Sequence, residues 1–470
     1  MLIRFNVRNF LSFSARKDGK SQEFSMIAGK VRSKKEHLYD DNKLKLLKFA
    51  AVYGANASGK SNLVKAINFM KKTLISGLPN GHTDKYCKVN PQNKDKESYF
   101  ELEILLNNKY YAYGFEVILN SNKFVSEWLI EISADNSEKV IFTRDIRNNV
   151  FEFKNYFKDN KLVQKLNNYA DDIKGDESAL LLSIMNQNKK NLYEEYSEAE
   201  VLKNIYMWIK NSLDVNYPDR PISDYSYMAD NDNIEEICRI ISAFGTGITN
   251  FKMVEVPVEK VISNLPKSVA ENIVSKLEEK IPELKNTISD EMDKSSNDKK
   301  TIKMIMRSNQ DFFILEIDKE ENVISKTIQF AHGKNDALFN LTEESDGTIR
   351  ILDLIEILIN KEQNKVYIID ELDRCLHPSL TFKFVETFLQ IAEKRNIQLI
   401  VTTHESRLMD FDLLRRDELW FVNKDKIGES DIYSLEEYNA RFDQKIDKAY
   451  LEGRYGGVPV FSTVFPLREE

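Results

Sequence analysis

The feature that most constrains this chain is a glycine-containing octapeptide between an apolar strand and a helix. GANASGKS, from Gly54 to Ser61, has the spacing GxxxxGK[ST]. An apolar run, Phe49 to Tyr53, precedes it, and residues 61–75 follow with apolar residues spaced along one helix face. In that context the backbone N–H groups of the loop and the helix N-terminus face a phosphate chain. The sequence therefore predicts a phosphate-binding loop, with a chance match in a turn as the alternative.

Each part of this loop has a predicted role. Glycines let the backbone curl around the phosphates, Lys60 reaches the β- and γ-phosphates of ATP, and the Ser61 hydroxyl ligates Mg²⁺. The predicted nucleotide-binding residues are Gly54, Asn56, Ala57, Ser58, Gly59, Lys60, Ser61 and Asn62.

A second element, KVYIIDELD, ends another predicted strand with two acids. Residues 366–369 form the continuous apolar run expected of a parallel strand that is buried on both faces. Asp370 follows as a candidate Mg²⁺ ligand, and Glu371 as the base that accepts a proton from an attacking water. The alternative is a pair of solvated acids at a strand end. His404 ends the strand IQLIVTTH and is predicted to bond the γ-phosphate; alternatively, it is a lone surface histidine.

Composition limits the class of protein. The 470 residues include 67 Lys and Arg against 75 Asp and Glu, a net charge of −8 that argues against general coating of nucleic acid. A local basic stretch at residues 30–37, KVRSKKEH, is read as a solvated loop or a nucleic-acid contact. Three scattered cysteines favour a reducing cytoplasm. No apolar run is long enough to span a bilayer, so no membrane partner is expected.

The order of patterns along the chain predicts an α/β fold interrupted by a helical insertion. Short strands and the phosphate loop occupy residues 1–150, where residues 98–132 read as an antiparallel meander. Residues 151–300 become polar and helical, and we predict a compact lid or arm there. Residues 301–470 return to strands and then alternate strand and helix.

One glycine stands at the mouth of a helix, in the turn Ser345-Asp346-Gly347-Thr348 before apolar residues at helical spacing. An N-cap is the simple explanation, because Ser or Asp there satisfies backbone N–H groups. A helix mouth that holds a phosphate is the other.

Together these motifs resemble the head of ABC-type ATPases, in particular the SMC/RecF-like class. The resemblance implies that Ser345, Asp346, Gly347 and Thr348 form the signature motif, which acts on the nucleotide of a partner subunit in a two-head ATP sandwich. It also implies that LDRCLHP is the D-loop, with Asp373 in the matching position, and that the chain forms a homodimer or a higher homo-oligomer. A transporter subunit is disfavoured, since the signature reads ESDGT and not SGGQ.

More narrowly, the start MLIRFNVRNFLSFS, the signature, DELDRCLHP and the tail YLEGRYGGVPVF resemble prokaryotic AAA-type ATP-binding proteins of phage-defence operons. Examples are the AbiL-type ATPases, with the PARIS ATPase subunit and OLD-family ATPases as relatives. The resemblance implies an ATP-hydrolysing sensor that answers a phage-derived trigger and controls a separately encoded effector, such as a Toprim nuclease.

Two alternatives follow from the same residues. An internal nuclease is rejected, because the acids Asp410 and Asp412 precede Glu452 in the wrong order and few residues follow His404; the two aspartates are expected to cap a helix around Leu413. A RecF/SMC-like ATPase that clamps DNA remains the alternative function, with DNA as its partner.

Overall fold

The computed structural model describes residues 1–133, 137–153, 156–229, 234–258, 261, 303–307, 311–317, 323–333, 337–437 and 446–451. The helices are α1 Lys60–Ser76, α2 Asn160–Ile173, α3 Leu181–Met185, α4 Lys190–Glu195, α5 Glu200–Met207, α6 Ser226–Ala229, α7 Ile234–Ala243, α8 Asp346–Ile359, α9 Pro378–Glu393 and α10 Ile446–Leu451. The strands are β1 Leu2–Arg8, β2 Gln22–Ser25, β3 Leu38–Asp40, β4 Lys45–Leu47, β5 Phe49–Tyr53, β6 Ser98–Leu106, β7 Lys109–Ile118, β8 Lys123–Ile132, β9 Glu138–Asp145, β10 Val150–Glu152, β11 Leu213–Asn216, β12 Ile248–Val256, β13 Lys303–Arg307, β14 Phe312–Ile317, β15 Val323–His332, β16 Leu338–Asn340, β17 Val366–Ile369, β18 Gln398–Thr402, β19 Leu419–Lys424 and β20 Ser430–Ser434.

A six-stranded sheet carries the phosphate loop. Its order is β11-β17-β18-β5-β19-β20, and all neighbours pair in parallel except β19 and β20. Strands β5, β17 and β18 are buried along their whole length, as their continuous apolar sequences predict. Because parallel strands end at the same edge, the loops after β5, β17 and β18 meet there.

A seven-stranded antiparallel sheet, in the order β10-β9-β8-β7-β6-β1-β2, contains the predicted meander. One hydrophobic cluster joins this sheet to helices α1, α3 and α5 and to the six-stranded sheet. Members from these elements are Phe5, Phe100, Phe115, Leu63, Ile67, Met70, Leu181, Leu202, Val52, Ile368 and Ile400. The predicted α/β fold is confirmed, with one largely parallel core sheet and one antiparallel sheet that contains the meander.

The chain divides into two compact units. The first comprises Met1–Pro218, Glu362–Asp373 and Thr381–Glu470, and the second comprises Asp219–Lys361 and Arg374–Leu380. The second unit contains the five-stranded sheet, ordered β12-β15-β14-β13 with β16 beside β15, and helix α8.

The predicted insertion at 151–300 differs from this division in two respects. Helices α2 to α5 belong to the first unit, and β11 pairs with β17 in the six-stranded sheet. The segment also contributes strand β12, which pairs antiparallel with β15 from Asn250 to Val256. Residues 262–300 of the predicted insertion and most of the tail from Tyr450 lie outside the described residues.

Candidate nucleotide-binding site

The loop from Gly54 to Ser61 adopts a conformation that requires glycine at two positions. Gly59 has a φ of 119°, in the left-handed region, and an added Cβ would lie 2.7 Å from Ser430 Oγ. At Gly54 an added Cβ would lie 2.4 Å from the Val422 carbonyl oxygen. Ala57 also has a positive φ, 62°, at the exposed tip of the loop. The backbone therefore curls tightly between β5 and α1, as the spacing predicts.

Helix α1 begins without a side-chain cap. Gly59 is its N-cap residue and supplies no side-chain hydrogen bond, so the first N–H groups of α1 are open to an anion. The Ser58 hydroxyl beside them is buried and has no hydrogen-bond partner among the described residues. An uncapped helix mouth and an orphaned buried hydroxyl are what a phosphate group would satisfy.

Lys60 lies over the loop that it follows. Its Nζ donates to the carbonyl oxygens of Gly54 at 2.7 Å and Ala55 at 3.1 Å. Burial lowers the pKa of Lys60 to about 8, although the nearby carboxylates of Asp370, Asp373 and Glu371 oppose this shift. The ammonium is therefore poorly hydrated and lies where phosphate oxygens would be its strongest partners.

The predicted metal ligands meet in the structure. The Ser61 hydroxyl at the start of α1 donates to Asp370 Oδ1 at 3.1 Å, across more than three hundred residues of sequence. Among the described residues, no cluster of three or more histidine, cysteine or acidic side chains could hold a metal ion. This donor set fits Mg²⁺, which takes one or two protein oxygens and completes its shell with phosphates and water.

A threonine that the sequence did not single out joins the two acids after β17. The Thr402 hydroxyl accepts from the backbone N–H of Glu371 at 2.8 Å and donates to Asp370 Oδ1 at 2.6 Å. Glu371 has a φ of 51°, a left-handed conformation that a glutamate seldom adopts. Thr402 thus holds the Asp370 carboxylate and the backbone of Glu371. The sequence could have indicated Thr402 through its position at the end of β18, the strand that pairs with β17.

Thr403 and His404, which follow Thr402, hold Asp373 of the predicted D-loop at the same edge of the six-stranded sheet. The Thr403 hydroxyl donates to Asp373 Oδ1 at 2.7 Å, and the backbone N–H of His404 donates to the same oxygen at 3.2 Å. The His404 ring is exposed, yet partial desolvation lowers its pKa, and the Lys60 ammonium lowers it further. His404 is therefore favoured in its neutral form at the edge that also carries Lys60 and Asp370.

Three further side chains support the phosphate loop from distant parts of the sequence. Ser430 Oγ on β20 donates to the Ser58 carbonyl oxygen at 2.5 Å and lies 2.7 Å from Ser12 Oγ, from which it can accept a hydrogen bond. Asn62, a predicted site residue, donates through Nδ2 to Ser12 Oγ at 2.8 Å. The Tyr450 hydroxyl accepts from the Gly54 N–H. Local patterns contain no signal for Ser12, Ser430 or Tyr450.

The four predicted signature residues belong to the second unit. The Ser345 hydroxyl accepts a hydrogen bond from the Thr348 N–H at 3.1 Å. Ser345 therefore caps α8, as the N-cap interpretation of this turn predicts. Ser345 and Asp346 are exposed at the helix mouth. An added Cβ on Gly347 would lie 2.9 Å from the Cys375 carbonyl oxygen, so the glycine permits a close approach within the chain.

Two of the acids weighed for an internal nuclease, Asp410 and Asp412, lie in one turn. Asp410 Oδ1 accepts from the Asp412 N–H at 2.8 Å in a turn, and the expected helix around Leu413 is absent from this described segment. Glu452 lies outside the described residues. A short turn closed by the Asp410 side chain suffices to explain the pair.

Comparison with protein families matches residues 49–410 to the family described as "AAA domain, putative AbiEii toxin, Type IV TA system". The chain belongs to this AAA family. The match includes the phosphate loop, the signature turn and the acids after β17. A comparison with curated proteins finds no match.

Solved structures similar to this AAA-family chain include three SMC head domains. An SMC head bound to the C-winged helix domain of ScpA has 12% identity and a TM-score of 0.43, covering 93% of this chain and 99% of that chain. The Thermotoga maritima SMC head domain has 13% identity and a TM-score of 0.34, covering 92% and 98%. The Pyrococcus furiosus SMC head domain with an extended coiled coil, bound to the C-terminal domain of ScpA, has 13% identity and a TM-score of 0.41, covering 96% and 99%.

Proposed function

We propose that this chain is an ABC-type ATPase that binds ATP and Mg²⁺ at the loop from Gly54 to Ser61 and hydrolyses the ATP. The observation that carries the proposal is the contact between the Ser61 hydroxyl and Asp370, 3.1 Å apart at the mouth of an uncapped helix. The N-terminus of α1 favours an anion, and the buried Asp370 carboxylate favours a cation. Phosphates together with Mg²⁺ would supply both charges.

The roles of the remaining side chains follow from their positions. Lys60 would contact the β- and γ-phosphates of ATP, and Ser61 and Asp370 would hold a Mg²⁺ ion, which would supply positive charge against the phosphates. Glu371 accepts a proton from the water that attacks the γ-phosphorus, the bond from that phosphorus to the β-phosphate oxygen breaks, and ADP leaves with inorganic phosphate. Neutral His404 donates a hydrogen bond to the γ-phosphate, consistent with its lowered pKa.

The proposal includes a homodimer in which each signature completes the other subunit's site. The exposure of Ser345 and Asp346 at the mouth of α8 supports a role toward a partner. Asp373, whose carboxylate accepts a hydrogen bond from the Thr403 hydroxyl, is the proposed D-loop residue. ATP would then join two heads, and hydrolysis would separate them.

In the cell, we propose that this ATPase acts in the cytoplasm as a sensor in abortive infection. The description of its family, a type IV toxin–antitoxin system, supports that setting. The chain would answer a phage-derived trigger and restrain or license a separately encoded effector, with a Toprim nuclease as the specific candidate. Its three cysteines form no disulfide, which agrees with a reducing compartment. No helix in the described part of the chain is long and apolar enough to cross a membrane.

One observation supports DNA as a second candidate partner. Lys30, Arg32 and Lys35 are exposed on a loop whose backbone is anchored by the buried Arg415. The Arg415 guanidinium donates to carbonyl oxygens of this loop, including that of Ser33 at 2.6 Å. A rigid loop with outward cations suits phosphate contacts at low entropic cost.

ATP turnover by the purified chain, with and without linear duplex DNA at two salt concentrations, tests these proposals. We expect slow ATP turnover whose rate does not change when DNA is added, and no turnover in Lys60→Ala. Turnover that DNA stimulates, and that fades at higher salt, would favour the DNA clamp. Wild-type turnover no greater than that of Lys60→Ala would contradict the ATPase proposal. Co-purification with the product of an adjacent gene would identify the effector.

A further inference from the structure

Helix α8, which begins at the signature, carries a buried ion pair that the proposed mechanism does not use. Arg307 is the last residue of β13, and its Nη2 lies 3.4 Å from Asp353 Oδ1 on α8. The two side chains are only 4% and 7% exposed. Asp353 lies within about two helical turns of Gly347, so the pair connects the five-stranded sheet to the start of α8.

Both members of the pair are held in place by neighbours. The Arg307 guanidinium lies 4.2 Å from the centre of the Tyr225 ring, and its Nη2 donates to the Tyr225 hydroxyl at 2.8 Å. Tyr225 is fully buried and its backbone has a left-handed φ of 60°. Asp353 Oδ2 accepts from the Ile222 N–H at 3.4 Å. The geometry of the pair is therefore tightly specified.

The same pair is a costly way to stabilise a core. Arg307 Nε and Nη1 are buried and have no hydrogen-bond partner among the described residues. Burial raises the pKa of Asp353 although Arg307 opposes this shift, so desolvation of the carboxylate outweighs the attraction. Buried pairs with unsatisfied donors add little net stability, and apolar side chains of similar volume often replace them without loss. Setting a unique geometry is the role that such a pair can perform.

We propose that Arg307 is a positioning residue for the signature: its contact with Asp353 sets the rotation of α8 about its axis and thereby the direction of Ser345 and Gly347. This inference rests on the proposed function, in which the signature acts on the nucleotide of a partner subunit. The rotation of α8 matters at Gly347, because a Cβ added there would lie only 2.9 Å from the Cys375 carbonyl oxygen. A small turn of α8 would change that close approach between signature and D-loop.

Turnover and nucleotide affinity of Arg307→Gln test the proposal. We expect kcat to fall about tenfold while the Kd for ATP stays within about twofold, because the altered groups act only in the closed dimer. Arg307→Lys should retain part of the turnover. Lys326→Gln, which breaks the ion pair of Lys326 with Glu316 in the same sheet and leaves that of Arg307 with Asp353, should change kcat by less than about twofold.

A double variant separates positioning from stability. Arg307→Met with Asp353→Leu replaces both charges by apolar groups, so its thermal midpoint should match or exceed that of the wild type. Its turnover should stay as low as that of Arg307→Gln. If the double variant recovers wild-type turnover with its stability, the pair is merely structural and the proposal is overturned. Wild-type turnover in Arg307→Gln would overturn it as well.

Hydrogen exchange decides the inference independently of hydrolysis. Amides of residues 345–350 should exchange at least about tenfold faster in Arg307→Gln and in the double variant than in the wild type or Lys326→Gln. Unchanged exchange in both would overturn the positioning role. If the wild type itself fails to hydrolyse ATP while exchange changes as expected, the proposed function fails and the positioning of α8 stands.

Discussion

At the scale of single residues, the charge of Lys60 depends strongly on its surroundings. The ammonium is buried and donates to two carbonyl oxygens of the loop. Its pKa of about 8 lies below the usual value for lysine because desolvation outweighs three nearby carboxylates. A bound triphosphate would add several negative charges and raise that pKa. Nucleotide binding at this site is therefore coupled to the protonation of Lys60.

We expect the affinity for ATP to fall as the pH rises above about 8. Below that pKa Lys60 is charged in both the free and the bound protein, so it contributes no pH dependence there. Above it the free protein must take up a proton on binding, and affinity should fall by up to about tenfold per pH unit. The Kd for ATP, measured by calorimetry between about pH 7 and pH 9, checks this expectation.

Lys60→Arg is the matched control for this titration. The guanidinium remains charged over the same range, so the variant should bind more weakly overall but without the decline above pH 8. An equal decline in Lys60→Arg would assign the titration to another group. A flat wild-type profile would contradict the coupling.

At the scale of elements, the two helices predicted to face phosphates begin differently. Helix α1 has glycine at its N-cap and receives no side-chain cap, whereas the Ser345 hydroxyl caps α8. Helix α1 can therefore offer its N–H groups to a phosphate of its own subunit. At α8 the cap already satisfies one N–H group, and glycine serves the close approach to the Cys375 carbonyl oxygen. Its contribution to a partner's site would come from the exposed Ser345 and Asp346.

Gly347→Ala should abolish turnover and leave ATP binding by the monomer unchanged. The added Cβ would lie 2.9 Å from a backbone carbonyl oxygen, so α8 or the D-loop must shift. Ser345→Ala is the comparison, with an expected stability loss of about 1 kcal/mol from the missing cap. ATP turnover and equilibrium binding, measured in parallel, separate the effects. Equal loss of binding and turnover in Gly347→Ala would exclude a role across the dimer interface.

Strand β20 supports the phosphate loop through Ser430. Ser430→Ala removes the hydrogen bond to the Ser58 carbonyl oxygen and should weaken ATP binding by about three- to tenfold. Ser434→Ala, on the same strand and away from the loop, is the control and should leave the Kd unchanged. Isothermal titration of both variants checks this prediction. The same affinity in both would mean that β20 does not support the site.

At the scale of the whole molecule, the proposed dimer depends on two surfaces in different compact units. Glu371 follows β17 in the first unit, and the signature belongs to the second. In a two-head sandwich each site takes one part from each subunit. Binding and hydrolysis should then respond differently to substitutions in the two units.

Glu371→Gln should accumulate as an ATP-bound dimer. The amide keeps the size of the side chain but cannot accept the proton of the attacking water, so binding survives while hydrolysis stops. Light scattering with ATP and Mg²⁺ should report about twice the monomer mass of 54.7 kDa. Adding Lys60→Ala to this variant should abolish the dimer. A monomer under these conditions would contradict the sandwich, and wild-type turnover would contradict the base assignment.

The sequence alone determined those features of this protein that depend on residues close together in the chain. Spacing predicts the phosphate loop, and continuous apolar runs predict the buried parallel strands β5, β17 and β18. Asp370 and His404 follow β17 and β18, and because parallel strands end at one edge of a sheet, both lie at the edge that carries the phosphate loop. The helix predicted over residues 61–75 is observed as α1, Lys60–Ser76.

Only the tertiary structure decided the contacts that join distant segments. Ser430 and Ser12 are 418 positions apart, and Arg307 contacts Asp353 across 46 positions from a separate sheet. The division into two units also departs from the predicted boundaries, because β11 pairs beside β17. Local patterns record backbone conformation and the burial of one face. They contain no information on which distant side chain completes a hydrogen bond, because packing of the whole chain determines that choice.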